Sequence, residues 1–191
     1  MLVGRLIYLS HTRSNIDYEV SVTNQFMHNP KETHLRAVYK ILHYLKGAPS
    51  KGILFRKGNK LSFEAYLNVD YAGSIVDKKS TSRYYTFLRD NIMTWRSKKQ
   101  SVVTQSSAEA EFKSMAQGIC ELLWVKILLE DLRVKWTAPM TLYCDNKPII
   151  SIAHNPVQHD RTKHVEVDRH FIKEKLDSGL ICTDFHPICT Y

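Results

Sequence analysis

The stretch that most constrains the fold is Leu61-Ser-Phe-Glu-Ala-Tyr-Leu-Asn-Val-Asp-Tyr71, where apolar and polar side chains alternate with the period of a strand buried on one face. Residues 84–88 and 92–95 are again rich in β-formers, and Arg89-Asp90-Asn91 between them reads as a hairpin turn, giving three consecutive antiparallel strands. The period then changes. Ser106 reads as the N-cap of a long helix with Glu109 as its capping-box partner, and Phe112, Met115, Ala116, Ile119, Leu122 and Leu123 mark its buried stripe, which should run to about Arg133. A short apolar strand at 140–144, short helices at 147–154 and 165–178, and a last strand at 180–185 complete the order β-β-β-α-β-α-α-β. That order predicts an α/β domain with one mixed sheet and helices on its faces.

Residues 1–56 have a different character. They hold eight Lys and Arg against three Asp and Glu, and so carry five of the eight net positive charges of the 191-residue chain. Asn29-Pro30-Lys31-Glu32 reads as a helix start, with Asn29 as N-cap and Glu32 closing the box, and Gly47 ends the helix. Leu35, Val38, Leu42 and Leu45 mark its apolar face, while Arg36, Lys40 and His43 form a basic stripe. Such a stripe serves equally as solvated surface or as a contact for a nucleic-acid backbone, and an overall pI near 9.3 makes polyanions the first partner to consider.

Several classes are disfavoured. No run approaches the roughly 20 apolar residues of a membrane span, and Met1-Leu2-Val3-Gly4-Arg5 lacks the pattern of a secretory signal, so a cytoplasmic or nuclear location is expected. Cys120, Cys144, Cys182 and Cys189 show no CxxC spacing and read as reduced, buried thiols. His154, His159, His164 and His170 are spaced so that no pair shares a helical face, which argues against zinc.

Carboxylates at element ends are the chemical signal. Asp70 ends the first strand, Glu111 lies in the first turns of the long helix, Asp145 follows the fourth strand, and Glu166 and Asp168 open the late helix. Singly, each is explained as surface charge or as a helix N-terminal acid. Hard oxygen ligands converging from separate elements, in contrast, hold magnesium ions that work at phosphorus.

Leu2-Val-Gly-Arg-Leu-Ile-Tyr-Leu, Phe26-Met-His-Asn-Pro, Tyr44-Leu-Lys-Gly, Asp70-Tyr-Ala-Gly, Lys79-Ser-Thr-Ser, Ser106-Ser-Ala-Glu-Ala-Glu-Phe, Cys144-Asp-Asn and Arg161-Thr-Lys-His-Val-Glu follow one another in that order. Together they resemble the landmarks of copia-type LTR retrotransposon polyproteins. The resemblance implies that residues 1–56 are similar to the helical thumb and connection at the end of reverse transcriptase. It implies that 57–191 form a ribonuclease H-like domain with a five-stranded mixed sheet. It also implies a two-magnesium site, an RNA–DNA hybrid as substrate, and an upstream reverse transcriptase region as partner. The ligands carried over are Glu111, Asp145 and Glu166, with Asp168 a weaker candidate and Glu109 already accounted for as a cap.

The departures from that family bear on activity. Asn68 stands where the family has the first acidic ligand, with Asp70 two residues on as a possible substitute. Ser14-Asn15 replaces Pro-Asp, Arg83 replaces a glycine at the side of a turn, Pro148 enters a helix start, and the closing Ala-Asp-x-x-Thr-Lys segment is not matched by the last residues, which reads as truncation. The resemblance therefore implies a hybrid ribonuclease impaired in this copy, and leaves open a non-catalytic nucleic-acid-binding relic or a pseudogene product.

Overall fold

The computed structural model describes residues 2–57, 62–74, 77–154 and 163–186. The chain divides into two compact units, Met1–Arg56 and Lys57–Tyr191. Among the described residues no helix is long and apolar enough to cross a membrane.

The first unit contains α1 (Leu2–Ser10), a 3-10 turn at Ser14–Ile16, α2 (Asp17–Asn24) and α3 (Glu32–Gly47). Leu6, Ile16, Val20, Val38 and Ile41 form its core. The sequence reading of α3 needs two corrections. The helix starts at Glu32 rather than after Asn29, because the His34 ring, stacked 4.1 Å from Phe26, accepts the Lys31 backbone N–H at 3.0 Å and completes the first turn. The buried face also lies one step round, on Val38 and Ile41, leaving Leu35 46% exposed.

The second unit holds β1 (Phe63–Asp70), β2 (Thr81–Leu88), β3 (Asn91–Lys99), α4 (Ser107–Asp131), β4 (Met140–Cys144), α5 (Lys147–His154), α6 (Lys163–Asp177) and β5 (Ile181–Phe185). The sheet order is β3-β2-β1-β4-β5, antiparallel through β1 and parallel from β1 to β5. The two-residue turn is Arg89-Asp90, both at positive φ as a tight hairpin requires.

Strand alternation sets the faces. Phe63, Ala65 and Leu67 are buried with Met140 and Leu142 against Phe112, Met115, Ile119 and Leu122 of α4. Gly118 makes that approach possible, since a Cβ there would lie 2.6 Å from Leu67 Cδ2. Leu123 is only partly buried, and the stripe continues instead through Val125 and Leu129. Ser106 Oγ accepts the Glu109 N–H at 3.2 Å, while the Glu109 carboxylate takes the Gln105 N–H at 2.8 Å and Lys113 at 3.0 Å. Pro148 falls in the first turn of α5, where a missing N–H costs nothing.

The expectation of buried thiols fails for two cysteines. Cys144 is buried, but Cys120 and Cys182 are exposed: Cys120 sits one step of helix past the buried Ile119, and Cys182 alternates outward on the edge strand β5. Cys189 and His159 lie outside the described residues, as does the side chain of His164.

Candidate metal centre

Each acid owes its place to an element end. Glu111 is in the second turn of α4, where Ser107 Oγ donates to its Oε1 at 2.9 Å and Asn146 Nδ2 donates to the same oxygen at 3.0 Å. Asn146 Oδ1 in turn accepts the Ile149 N–H at 3.2 Å, capping α5. One residue thus ties the start of α5 to the carboxylate of α4. Asp145, next in the chain to Asn146, is exposed beyond the end of β4. Burial pushes the Cys144 thiol up to about 11, with the nearby Glu111 and Asp145 charges acting in the same direction. Glu111 and Asp145 therefore belong to one locality.

Asn68 is reached through the sheet. The β1–β4 register pairs Tyr66 with Tyr143, whose rings stack at 4.7 Å, and carrying it on by two residues brings Asn68 level with Asp145. Because Leu67 packs on α4, alternation turns Asn68 and Asp70 to the opposite face from that helix. Asp70 is engaged elsewhere: its Oδ2 lies 3.9 Å from Arg83 NH2, and Gly73 packs against the same carboxylate. The turn after Asp70 is held by Ser80, whose Oγ accepts the Ala72 N–H at 3.1 Å and bonds Thr104 Oγ1 at 3.1 Å, which gives the Lys79-Ser-Thr-Ser motif a structural role.

Glu166 is exposed in the first turn of α6, and its described partner is His170 Nε2 at 4.0 Å on the same helix. Asp168 is half-buried; burial raises its carboxyl pKa, with Lys113 opposing and Glu109 adding to the rise. Among the described residues, no three His, Cys, Asp or Glu side chains gather in a group able to hold a metal ion. The donors nevertheless fit a hard cation in kind. Glu111 Oε2 is buried without a hydrogen-bond partner, and a carboxylate oxygen in that condition is stabilised by a cation.

Arg36, Lys40 and His43 are all exposed on α3. Arg36 is paired with Glu32 at 2.7 Å, and Lys40 borders a cavity of about 470 Å³ between α2 and α3 that Glu19 also lines. Arg83, read from the sequence as turn-side, lies inside β2 directly opposite Asn68. Its contact with Asp70 and the bond from Asn146 to Glu111 were not foreseen. Asn146 stands in the Cys144-Asp-Asn motif, which was its only sequence signal.

A five-stranded mixed sheet with acids at its strand and helix ends defines a ribonuclease H-like α/β domain. The structure matches that of a ribonuclease H1 isolated from compost with a TM-score of 0.50, covering 68% of this chain and 86% of that one, and at 10% identity the likeness is one of fold. No family model matches the chain. The chain is 44% identical over 180 residues to the retrovirus-related Pol polyprotein from transposon RE1 of Arabidopsis thaliana, covering 94% of this chain and 12% of that one. It is 41% identical over 180 residues to the corresponding polyprotein from transposon RE2 of the same plant, and 34% identical over 176 residues to that from transposon TNT 1-94 of Nicotiana tabacum. The chain belongs to the Pol-polyprotein family of retrotransposons, and its second unit has a ribonuclease H-like fold. It spans 12–13% of the length of those three relatives.

Proposed function

We propose that the chain binds RNA–DNA hybrid and that residues 57–191 cleave its RNA strand with magnesium, slowly because position 68 is an amide. The observation that carries this reading is the buried, unpartnered Oε2 of Glu111, fixed through Asn146 beside Asp145. Glu111 and Asp145 would hold the ion, which when bound supplies Lewis acidity at the scissile phosphate. Ser107 and Asn146 orient Glu111 by fixing its other oxygen. Glu166, with Asp168 as the weaker candidate, is assigned to the same site by family position, while Asp70, the substitute for residue 68 that the sequence offers, lies beside Arg83. Asn68 keeps an oxygen but not the charge that retains a divalent ion among phosphates. Choice of RNA over DNA then rests on the 2′-hydroxyl beside the cut.

In this reading residues 1–56 are the helical end of a reverse transcriptase whose remaining part lies upstream in the polyprotein. Arg36, Lys40 and His43 of α3 contact the duplex backbone. A second reading, a nucleic-acid-binding relic without turnover, is favoured by the neutral Asn68 and by the lack of a three-ligand group among the described residues.

Cleavage of a labelled hybrid with magnesium or with chelator separates the two readings. The parent chain is expected to cut weakly, Asn68→Asp to cut faster, and Glu111→Gln not at all. Hybrid binding with no magnesium-dependent cleavage in either the parent or a folded Asn68→Asp chain would establish the relic.

A further inference from the structure

Asn68 and Arg83 are direct partners across the antiparallel β1–β2 pair, so their side chains share one face of the sheet. The Arg83 guanidinium reaches diagonally to Asp70, NH2 to Oδ2 3.9 Å, with side-chain exposures of 27% and 46%. The same carboxylate lies close to Gly73, where a Cβ would stand 2.3 Å from Oδ2. Asp70 thus has both a guanidinium and the Gly73 turn as neighbours. Asn68, directly opposite Arg83 in the register, is itself neutral. A divalent ion approaching the end of β1 therefore meets an amide and a carboxylate that already has a guanidinium beside it.

We propose that Arg83 is a resident cation of this site: it lies beside Asp70 and weakens the binding of divalent ions at the β1 end, even when an acid stands at position 68. This rests on the reading of Asn68 and Asp145, level in the β1–β4 register, as part of the proposed metal locality. It adds that the loss at position 68 and the arginine at position 83 act together, so that correcting one leaves the other in force. A fixed positive charge a few ångströms from a divalent ion weakens its binding by at least about tenfold, even with strong solvent screening.

The test is manganese binding, read as free ion by electron paramagnetic resonance, with folding followed by circular dichroism. The chains compared are the parent, Asn68→Asp, and Asn68→Asp combined with Arg83→Gln, Arg83→Met or Arg83→Lys. Gln and Met both remove the charge, so a folding defect in one leaves the other informative. The charge-free pairs are expected to bind at least about tenfold more tightly than Asn68→Asp alone, and the Lys pair to bind like Asn68→Asp. Equal affinity for Asn68→Asp and the charge-free pairs would overturn the role of Arg83, as would a Lys pair that binds like them. If no folded chain binds manganese, the metal locality itself is wrong and the proposal falls with it.

Discussion

Gly118 is a close approach of α4 to the sheet, and replacing it by alanine tests whether closeness is the reason for glycine. The new Cβ would stand 2.6 Å from Leu67 Cδ2 and 3.3 Å from Leu142 Cδ1. Ordinary carbon contacts lie near 3.5–4.0 Å, so the first overlap is about 1 Å. Leu67 is 2% exposed and Leu142 fully buried, so neither has open space to move into. Overpacking of this kind costs about 1–3 kcal/mol, against a gain of about 1 kcal/mol from removing glycine inside a helix. The net expectation is a loss of about 0–2 kcal/mol, measured as a fall in the urea midpoint with an unchanged slope. Leu67→Ala, costing about 2–5 kcal/mol alone, removes the obstructing atom. In that background Gly118→Ala should stabilise by about 1 kcal/mol, and the reversal of sign is what the geometry requires. If Gly118→Ala stabilises both backgrounds equally, the close approach does not explain the glycine.

Three further outcomes are expected. Saturating magnesium should raise the melting temperature of the parent chain, by up to about 2.7 kcal/mol of stabilisation at a hundred times the dissociation constant, and Glu111→Gln should abolish the shift; a retained shift would place the ion elsewhere. Burial raises the folded-state pKa of Asp168, so the folded protein keeps a proton that the unfolded chain has lost, and this contribution to stability is full below the unfolded value and fades as pH rises through the folded one. Asp168→Asn should therefore flatten the decline in stability from acid toward neutral pH, and an identical pH–stability curve would rule the effect out. Hybrid affinity should fall steeply with salt, with a slope of about −0.9 per neutralised phosphate, and reversing Arg36 and Lys40 should reduce the slope by about two; an unchanged slope would leave the stripe as solvated surface.

The order of elements was legible because each carries its own periodicity. The β4 and α5 bounds read from sequence coincide with the structure, and the hairpin turn falls within Arg89-Asp90-Asn91 as read, though it is two residues long and Asn91 already belongs to β3. Pattern was less reliable on short amphipathic faces. In α3 Leu35 and Ile41 are separated by packing that involves Leu6, Ile16 and Val20, residues no local window contains. Glu111 and Asp145 were legible through the motifs around them. The bond from Asn146 to Glu111 and the ion pair between Arg83 and Asp70 were not, because both join different secondary-structure elements. Arg83 in particular depended on knowing that β2 reaches back to Thr81 and sets Arg83 in register with Asn68.

The central place of β1 also sets an order of assembly. Its partner on one side, β2, follows directly in the chain, but its parallel partner β4, joined at Ala65 and Leu142, arrives only after both hairpin strands and the whole of α4. Closing that distant pairing is entropically expensive and comes late. A chain emerging from the ribosome therefore presents a three-stranded meander with the β1 edge unpaired until Met140–Cys144 is made. Such an edge is a template for pairing with a neighbouring nascent chain. Chains broken off before Met140 should collect as insoluble aggregates rather than persist as stable half-domains.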